Sequence, residues 1–346
     1  MIQHSKPFLG KDEIRSLQNV IASGMIGYGP KTQELERLVT KKTGYADSVC
    51  VSSASLAIYV ILKYLYPNGK KKVALSSYIC RSVYDAVCMA GCIPVLFDID
   101  PKTFGINTEC VLRSKIDTVI AAHLFGVRSD FSKLTDNGIE VIEDCAQRIT
   151  PSYIKEKTKS RWKVFSFEAT KIITGGQGGV ISGKGVKYMR ELRKLLDGSY
   201  DNSNECILSP YTDLQAAVAI VQWKKLDKFL ESRKSTAGYY IETLIKNNME
   251  HLVHSSMFLK DTWHFRFMLQ VKSPDKLMKK MSEKNITCRR PVKTGLHKLF
   301  KIPGQFKNTD AALNTMISLP LYPALSNREK SYIINQFINI YPHCSG

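Results

Sequence analysis

Short apolar segments alternate with helical segments over much of this 346-residue chain. The segments with a strand-like pattern lie at residues 73–75, 94–97, 118–122, 141–142, 164–165 and 180–181. Helical spacing at residues 81–90 and a short helix near Asp130 fall between them. Such an alternation is typical of an α/β fold with a mostly parallel sheet. In sheets of this kind we expect ligands to bind beyond the ends of the strands.

The carboxyl-terminal part of the chain has a different pattern. Residues 213–247 predict a long, nearly continuous helix, whose inner stripe contains Leu214, Ala217, Val218, Val221, Leu226 and Phe229. Strand-like segments at 265–271 and 317–321 flank a helix predicted at 274–283. We therefore predict a large domain over residues 1–245 and a smaller α/β domain over residues 246–346. The length of the chain suits two domains.

One lysine stands beside a glycine-rich segment downstream of an acidic strand end. Asp144 ends the apolar run that begins at Ile139, and Lys171 follows it, just before the turn from Gly175 to Gly179. A lysine can hold the aldehyde of pyridoxal phosphate as a Schiff base, and an aspartate can keep the pyridine nitrogen of the cofactor protonated. The order of these residues predicts a pyridoxal-phosphate site with Lys171 and Asp144 as its catalytic residues.

Further residues suit the phosphate and the ring oxygen of that cofactor. Ala54 and Ser55 follow Ser53 at the head of a predicted helix, where backbone N–H groups bind anions, and Ser166 adds a hydroxyl. Gln147 lies three residues after Asp144 and could reach the ring oxygen. Taken singly, serine-rich helix caps and glycine-rich turns are ordinary features. Their order and spacing together favour the cofactor site.

The formal net charge of +19 favours anionic partners such as phosphorylated metabolites, nucleic acid or acidic lipid surfaces. The basic residues, however, form short clusters that are dispersed along the chain, for example Lys70 to Lys72 and Lys187 to Lys194. No basic tail, zinc-finger spacing or aromatic-glycine RNA motif accompanies them. A basic solvated surface is therefore preferred to a nucleic-acid-binding surface.

The nine cysteines are scattered, odd in number and without a CxxC pair, which is typical of reduced thiols. No apolar run is long enough to span a bilayer, and the first residues lack the apolar stretch of a secretion signal. These features predict a cytoplasmic protein without a membrane partner. His251, His254 and His264 lack a nearby cysteine or glutamate in register, so no metal site is predicted.

Several segments, taken in order, resemble the DegT/DnrJ/EryC1/StrS aminotransferases, sugar aminotransferases of the fold-type I pyridoxal-phosphate enzymes. The resemblance runs through most of the chain and rests on segments that match in sequence order: Ser23-Gly24, Gly29-Pro30, 34–36, 52–55, 91–95, 98–100, 123–126, 143–147, 166–171, 213–217 and 319–321. Glu143-Asp144-Cys145-Ala146-Gln147 resembles the family's Glu-Asp-Ala-Ala-Gln motif, and Ser166-Phe167 with Lys171 resembles its Ser-Phe…Lys motif.

The resemblance implies a homodimer with active sites at the subunit interface. It also implies transfer of an amino group from an amino-acid donor, commonly glutamate, to a keto sugar that is usually attached to a nucleotide diphosphate. The positive charge of the chain suits an acceptor linked to a nucleotide or a phosphate.

The chain departs from the family pattern at several positions. Ala54 and Ser55 replace the glycine and threonine that bind phosphate, and Cys80 stands where an aromatic residue stacks on the cofactor ring. Tyr78 is the expected substitute for that aromatic residue. Leu208-Ser209-Pro210 replaces an Asn-Tyr-Arg run whose asparagine reaches the neighbouring subunit's cofactor phosphate.

Substrate contacts are expected at three further residues. Arg289-Arg290-Pro291 replaces a carboxyl-terminal His-Tyr-Pro-like segment, and its two arginines could grip a phosphate or a carboxylate. Tyr28, in the turn that precedes Pro30, is the third candidate.

Two other functions are compatible with this resemblance. A related sugar dehydratase typically has histidine in place of the lysine, so Lys171 argues against that activity. A degenerate scaffold or nucleic-acid-binding regulator would agree with Cys80, Leu208 and the basic charge, but the retention of Asp144, Gln147 and Lys171 argues against loss of chemistry. A pyridoxal-phosphate-dependent aminotransferase is therefore the first prediction.

Overall fold

Seven strands form the central sheet of the computed structural model, which describes residues 1–154, 158–197 and 206–344. The strands are β1 Asp47–Val51, β2 Lys72–Ser76, β3 Ile93–Phe97, β4 Thr118–Ala122, β5 Glu140–Asp144, β6 Trp162–Ser166 and β7 Gly179–Gly183. Their order is β1-β7-β6-β5-β4-β2-β3. Strand β7 is antiparallel to both of its neighbours, and the remaining pairs are parallel. The predicted α/β fold with a mostly parallel sheet is confirmed.

Among the described residues, nine α-helices accompany this sheet in the amino-terminal part of the chain. They are α1 Lys11–Ser23, α2 Pro30–Thr43, α3 Ala54–Leu65, α4 Arg81–Met89, α5 Thr108–Leu112, α6 Ser132–Asp136, α7 Val186–Asp197, α8 Asp213–Lys224 and α9 Leu226–Lys246. Helix α1 ends at Gly24 in the left-handed conformation, with φ of 71°, as the sequence predicts. The long helix expected over 213–247 is two helices, because Lys225 between them has φ of −94° and ψ of 0°.

A two-stranded antiparallel sheet and four helices form the carboxyl-terminal part. They are β8 Phe267–Gln270, β9 Met316–Leu319, α10 Pro274–Glu283, α11 Leu296–Leu299, α12 Lys307–Thr315 and α13 Asn327–Ile340. The domain boundary predicted after residue 245 falls at the end of α9. The amino terminus also lies on this part of the molecule, since Ile2 pairs with Ile286 and His4 Nε2 is 2.7 Å from Ser318 Oγ.

The register of the central strands brings their polar ends together. Ala122 at the end of β4 pairs with Asp144 at the end of β5, and Asp144 pairs with Val164 of β6. Ser166, at the end of β6, pairs with Gly179 at the start of β7. The carboxyl ends of the three parallel strands therefore meet at one edge of the sheet, where ligands bind in folds of this class.

The main hydrophobic core joins the two parts of the molecule. Leu75 and Ile142 of the large sheet and Leu269 of the small sheet belong to one buried cluster, and Tyr240 and Leu244 of α9 are fully buried within it. Continuous burial of this kind stabilises the position of the small sheet relative to the large one. Within the described residues, no helix combines the length and the apolar character that crossing a membrane requires.

Candidate active site

A cavity of about 320 Å³ opens at the carboxyl edge of β4, β5 and β6. Residues that follow these three strands line it together with the first turns of α3 and α4; the lining includes Ser53, Ala54, Ser55, Cys80, His123, Asp144, Gln147, Ser166, Glu168, Lys171 and Gly178. Of the eight residues predicted to act in catalysis or to bind the cofactor, seven line this cavity, and Tyr78 lies outside it. We call it the active-site cavity.

Asp144 is buried at the end of β5 and faces this cavity. Burial raises the pKa of its carboxyl group, while the backbone N–H of Ala146 and the nearby Lys171 and His123 oppose that rise. The N–H of Ala146 donates to Asp144 Oδ1 at 2.9 Å. A carboxylate that is buried in this way lacks a strong cationic partner of its own, and a protonated ring nitrogen would supply one.

Lys171 lies in a compact loop that follows β6. Its backbone N–H donates to Glu168 O at 3.0 Å, and the N–H of Gly175 closes the loop onto Phe167 O at 2.9 Å. The Lys171 ammonium is 5.7 Å from the centre of the Phe265 ring. The lysine side chain is thereby directed along the cavity wall, where a bound aldehyde could reach its Nζ atom.

The first turn of α3 forms an anion-binding end of the cavity. The Ser53 hydroxyl caps this helix by accepting from Leu56 N at 3.1 Å, so its oxygen is already used by the helix. The N–H groups of Ala54 and Ser55 have no acceptor within the helix, because they belong to its first turn. Helix N-termini of this kind bind phosphate groups. Ser166, whose Oγ accepts from Glu168 N at 3.4 Å, adds a hydroxyl to the same cavity.

Gln147 presents its amide group in a defined orientation. Its Oε1 accepts from Phe125 N at 2.8 Å, and Phe125 has a positive φ of 59° in the turn after β4. With the carbonyl oxygen engaged, the amide NH₂ of Gln147 remains to donate into the cavity. That polarity suits a ring oxygen that carries negative charge.

Four residues that were predicted to contact the cofactor or the substrate do not line the cavity, namely Tyr78, Tyr28, Arg289 and Arg290. Tyr78 is fully buried in the core, 6.0 Å from the Phe104 ring and 6.1 Å from the Phe125 ring, so it does not replace the stacking aromatic residue. Close packing in the hydrophobic core holds the Tyr78 side chain in that position. Cys80 lines the cavity at that place together with Ile79, Ser82 and Val83.

Tyr28 and Arg290 do not line the active-site cavity, and their contacts with substrate remain predictions. Tyr28 is exposed, and its hydroxyl is 3.5 Å from Glu36 Oε2. Arg290 forms a two-pronged ion pair with Asp275 at 3.0 and 3.1 Å and donates to Leu313 O, which occupies its guanidinium. Arg289 is exposed and does not line the cavity.

Tyr211 supports the glycine-rich turn and was not predicted. It is buried against Gly175 and Gly178, where a Cβ atom on either glycine would overlap its ring or hydroxyl. Gly178 also has a φ of 136°, which side-chain-bearing residues rarely adopt. A tyrosine directly after Pro210 was visible in the sequence, but nothing there indicated that it would pack against residues more than 30 positions earlier.

The histidines considered for a metal site are not brought together with suitable donors. His254 instead contacts Pro101 O at 3.0 Å and Ser256 Oγ at 2.8 Å. Among the described residues, possible ligand atoms of His123, Glu143 and Cys145 lie within 4.8 Å of one another. Glu143 is already engaged there by His123 and by Lys163, at 3.3 and 3.6 Å. The absence of a metal remains a prediction.

The fold and the cavity together define an enzyme of the fold-type I aminotransferase class. A model of the DegT/DnrJ/EryC1/StrS aminotransferase family matches residues 7–338, and the chain belongs to this family. The predictions of family, enzyme class and pyridoxal-phosphate cofactor are thereby confirmed.

Solved structures of similar fold include several aminotransferases. Spr1654 from Streptococcus pneumoniae, solved in a PMP form and a PLP form, has a TM-score of 0.89 and 21% identity, with 99% of this chain and 98% of that chain covered in the PMP form. TlmJ from Streptoalloteichus hindustanus has a TM-score of 0.87 and 21% identity, with 98% of each chain covered. PseC from Helicobacter pylori, an aminotransferase involved in the biosynthesis of pseudoaminic acid, has a TM-score of 0.87 and 14% identity over 99% of each chain.

Proposed function

We propose that this protein transfers an amino group from glutamate to a keto sugar that is linked to a nucleotide or a phosphate, through a Schiff base of pyridoxal phosphate with Lys171. The observation that carries the proposal is the convergence of Lys171, Asp144 and the first turn of α3 on one cavity. The family match supports amino transfer, and the net charge of +19 supports an anionic acceptor.

The residues of the cavity fit the cofactor group by group. Ala54, Ser55 and Ser166 would hold its phosphate, because they supply backbone and hydroxyl donors at a helix N-terminus. Asp144 would face the pyridine nitrogen, whose positive charge compensates the buried carboxylate. Gln147 would donate its amide NH₂ to the ring oxygen.

Bound pyridoxal phosphate supplies an electron sink that stabilises negative charge on the substrate carbon. Lys171 Nζ, free as an amine during the reaction, would take a proton from the donor's α-carbon and return one later in the cycle. Asp144 would keep the pyridine nitrogen protonated throughout. Leu124, which is buried and lines the same cavity, would limit the access of water to the reacting atoms.

We further propose that the protein acts as a homodimer. Helix α1 and the turn after it expose the apolar side chains of Ile14, Ile21, Met25 and Ile26. Clustered exposed apolar side chains often mark an interaction surface, and a second copy of the chain would cover these four. The nine free cysteines suit a reducing compartment, which supports the cytoplasm as the location.

The first test is the visible absorption spectrum of the purified protein with pyridoxal phosphate, before and after addition of L-glutamate. We expect a band of lysine-bound cofactor that glutamate removes, because the donor transfers its amino group to the cofactor. A band that persists would require a different donor or reaction. Without any such band the proposed function would be wrong, and a non-catalytic scaffold would be favoured.

Lys171→Ala should abolish turnover and the cofactor that borohydride traps on the protein, since among the described residues no other side chain lining the cavity carries an amine. Turnover with the amino donor and mass spectrometry after borohydride reduction measure these two effects. Lys187→Ala, at an exposed position of α7, is the matched control and should behave as the wild type. Full activity of the Lys171 variant would refute the assignment.

A further inference from the structure

Glu168 places a carboxylate in the wall of the active-site cavity beside Lys171. It lies three residues before the lysine, in the loop that follows β6, and both residues line the cavity. The Lys171 N–H donates to Glu168 O at 3.0 Å, so the two side chains leave the backbone within one turn of the chain. Glu168 is half-buried, and a ligand bound in the cavity beside the lysine would therefore meet this carboxylate.

Thr170 fixes the orientation of the carboxylate. Its backbone N–H and its hydroxyl both donate to Glu168 Oε2, at 3.0 and 2.6 Å. Among the described residues, no donor lies within hydrogen-bonding distance of the other oxygen, Oε1. Each oxygen of an ionised carboxylate can accept about two hydrogen bonds, so Oε1 keeps its full capacity for a ligand.

The remaining acidic and basic side chains of the cavity wall already have partners or proposed roles. In the proposed function, Asp144 faces the pyridine nitrogen and Lys171 holds the aldehyde. His123 accepts from a backbone N–H through Nδ1, at 3.1 Å, and its Nε2 is 3.3 Å from Glu143 Oε2. Among the charged side chains of the cavity that the structure describes, Glu168 is thus left to contact a substrate.

We propose that Glu168 Oε1 accepts a hydrogen bond from a hydroxyl group on the carbon next to the keto group of the acceptor, so that the cavity selects α-hydroxy ketones. This inference rests on the proposed function, because it places the keto carbon beside Lys171. The hydroxyl oxygen is two bonds from the keto carbon, so its partner must lie close to the lysine. Glu168 meets this requirement, and a bond from a hydroxyl to a carboxylate is short and strong.

The chemistry of the two substrates determines which of them contacts Glu168. The carboxylates of glutamate carry no proton to donate at neutral pH, and the negative charge of Glu168 repels them. The hydroxyl groups of a keto sugar are hydrogen-bond donors. The same repulsion acts on a phosphate, so the phosphate or nucleotide of the acceptor must lie at the end of the molecule that is remote from Glu168.

Two ketones that differ in one hydroxyl group test the proposal, namely dihydroxyacetone phosphate and acetonyl phosphate. The protein is loaded with pyridoxamine phosphate, and the return of the band of lysine-bound cofactor gives a rate constant for each ketone. The ratio of the first rate constant to the second should fall about 10- to 100-fold in Glu168→Ala, because a hydrogen bond to a charged acceptor is lost. Glu231→Ala, at an exposed position of α9, is the matched control and should keep the wild-type ratio.

Equilibrium binding gives a second measurement that does not depend on turnover. The pyridoxal-phosphate form carries no amino group to transfer, so calorimetric titration measures binding of the ketones alone. The dissociation constant of dihydroxyacetone phosphate should rise about 10- to 100-fold in Glu168→Ala, and that of acetonyl phosphate should stay unchanged. Glu168→Gln keeps the shape of the side chain and should show a smaller rise, which preserves the test if Glu168→Ala does not fold.

Three results would overturn the inference. One is an unchanged ratio in a folded Glu168 variant. Another is an equal loss for both ketones in Glu168→Ala and in Thr170→Val, because Glu168 would then only support the loop. The third is a wild-type protein that neither binds nor reacts with either ketone. The effect of glutamate on the cofactor band is measured before any ketone is added, so failure of the proposed function is detected separately.

Discussion

At the scale of single residues, Asp144 combines a cost in stability with a proposed role in cofactor binding. Its carboxyl group is buried, and burial raises its pKa, so the unfolded chain releases this proton more readily than the folded chain. Its stabilising contribution is therefore present below the unfolded pKa and declines as the pH rises through the folded pKa. A residue held in an unfavourable environment of this kind is typical of a functional site.

Asp144→Asn should separate these two effects. In the cofactor-free protein at neutral pH, the free energy of unfolding of the variant should exceed that of the wild type by about 1 kcal/mol, because a buried charge is removed. Binding of pyridoxal phosphate should weaken, since the pyridine nitrogen loses its counter-charge. Urea denaturation and cofactor titration measure the two quantities. A variant that is less stable and binds cofactor normally would contradict both assignments.

At the scale of elements, the glycine-rich turn between β6 and β7 depends on Tyr211, which lies just before the start of α8. Tyr211 packs against Gly175 and Gly178, and the turn carries Gln177 and Gly178 into the lining of the active-site cavity. The close approach of a ring to a backbone explains why glycine is required there. The position of this turn is thus determined by tertiary packing as well as by its own conformation.

Gly178→Ala should weaken cofactor binding roughly 10-fold, because a Cβ atom would overlap Tyr211 and the φ of 136° is strained for alanine. Gly176→Ala is the matched control in the same turn. Its φ of 85° is also strained, but no atom lies within 4 Å of the added Cβ. Fluorescence titration with pyridoxal phosphate compares the two variants. Equal losses would mean that backbone strain, and not the contact with Tyr211, limits the turn.

At the scale of the whole molecule, the single chain leaves an apolar surface uncovered. Ile21, Met25, Ile26 and Tyr28 are each more than half exposed, although α1 packs against α8 through its other face. Ile14 and Ile21 lie two turns apart and therefore on the same side of the helix. This surface is where the proposed homodimer would form.

Ile21→Glu should raise the dissociation constant of the dimer about 10- to 100-fold, because each subunit would bury an unpaired carboxylate at the interface. Sedimentation velocity over a range of protein concentrations measures this constant. Ile245→Glu is the control, because Ile245 lies at the end of α9 and its side chain is also half exposed. If both variants remain as associated as the wild type, the interface lies elsewhere.

Local signals were sufficient for most elements and for much of the site. The apolar strand segments, Gly24 after α1 and Pro30 at the start of α2 are read from neighbouring residues, since propensity and capping act over a few positions. Asp144, Gln147, Ser166 and Lys171 follow strand ends, so the parallel sheet alone brings them to one edge. The order of these segments also identified the family.

Only the tertiary structure decided which of the remaining candidates face the cavity. Tyr78, Arg290 and Tyr28 lie outside the cavity, where the aromatic core, Asp275 and Glu36 respectively contact them. The contact of Arg266 with His4, more than 250 residues away in the chain, likewise follows only from the folded structure. The sequence by itself determined the strands and the helix ends and singled out Lys171 as the predicted Schiff-base lysine, because these depend on nearby residues. Charge balance and burial depend on contacts between remote segments, and only the folded chain establishes those.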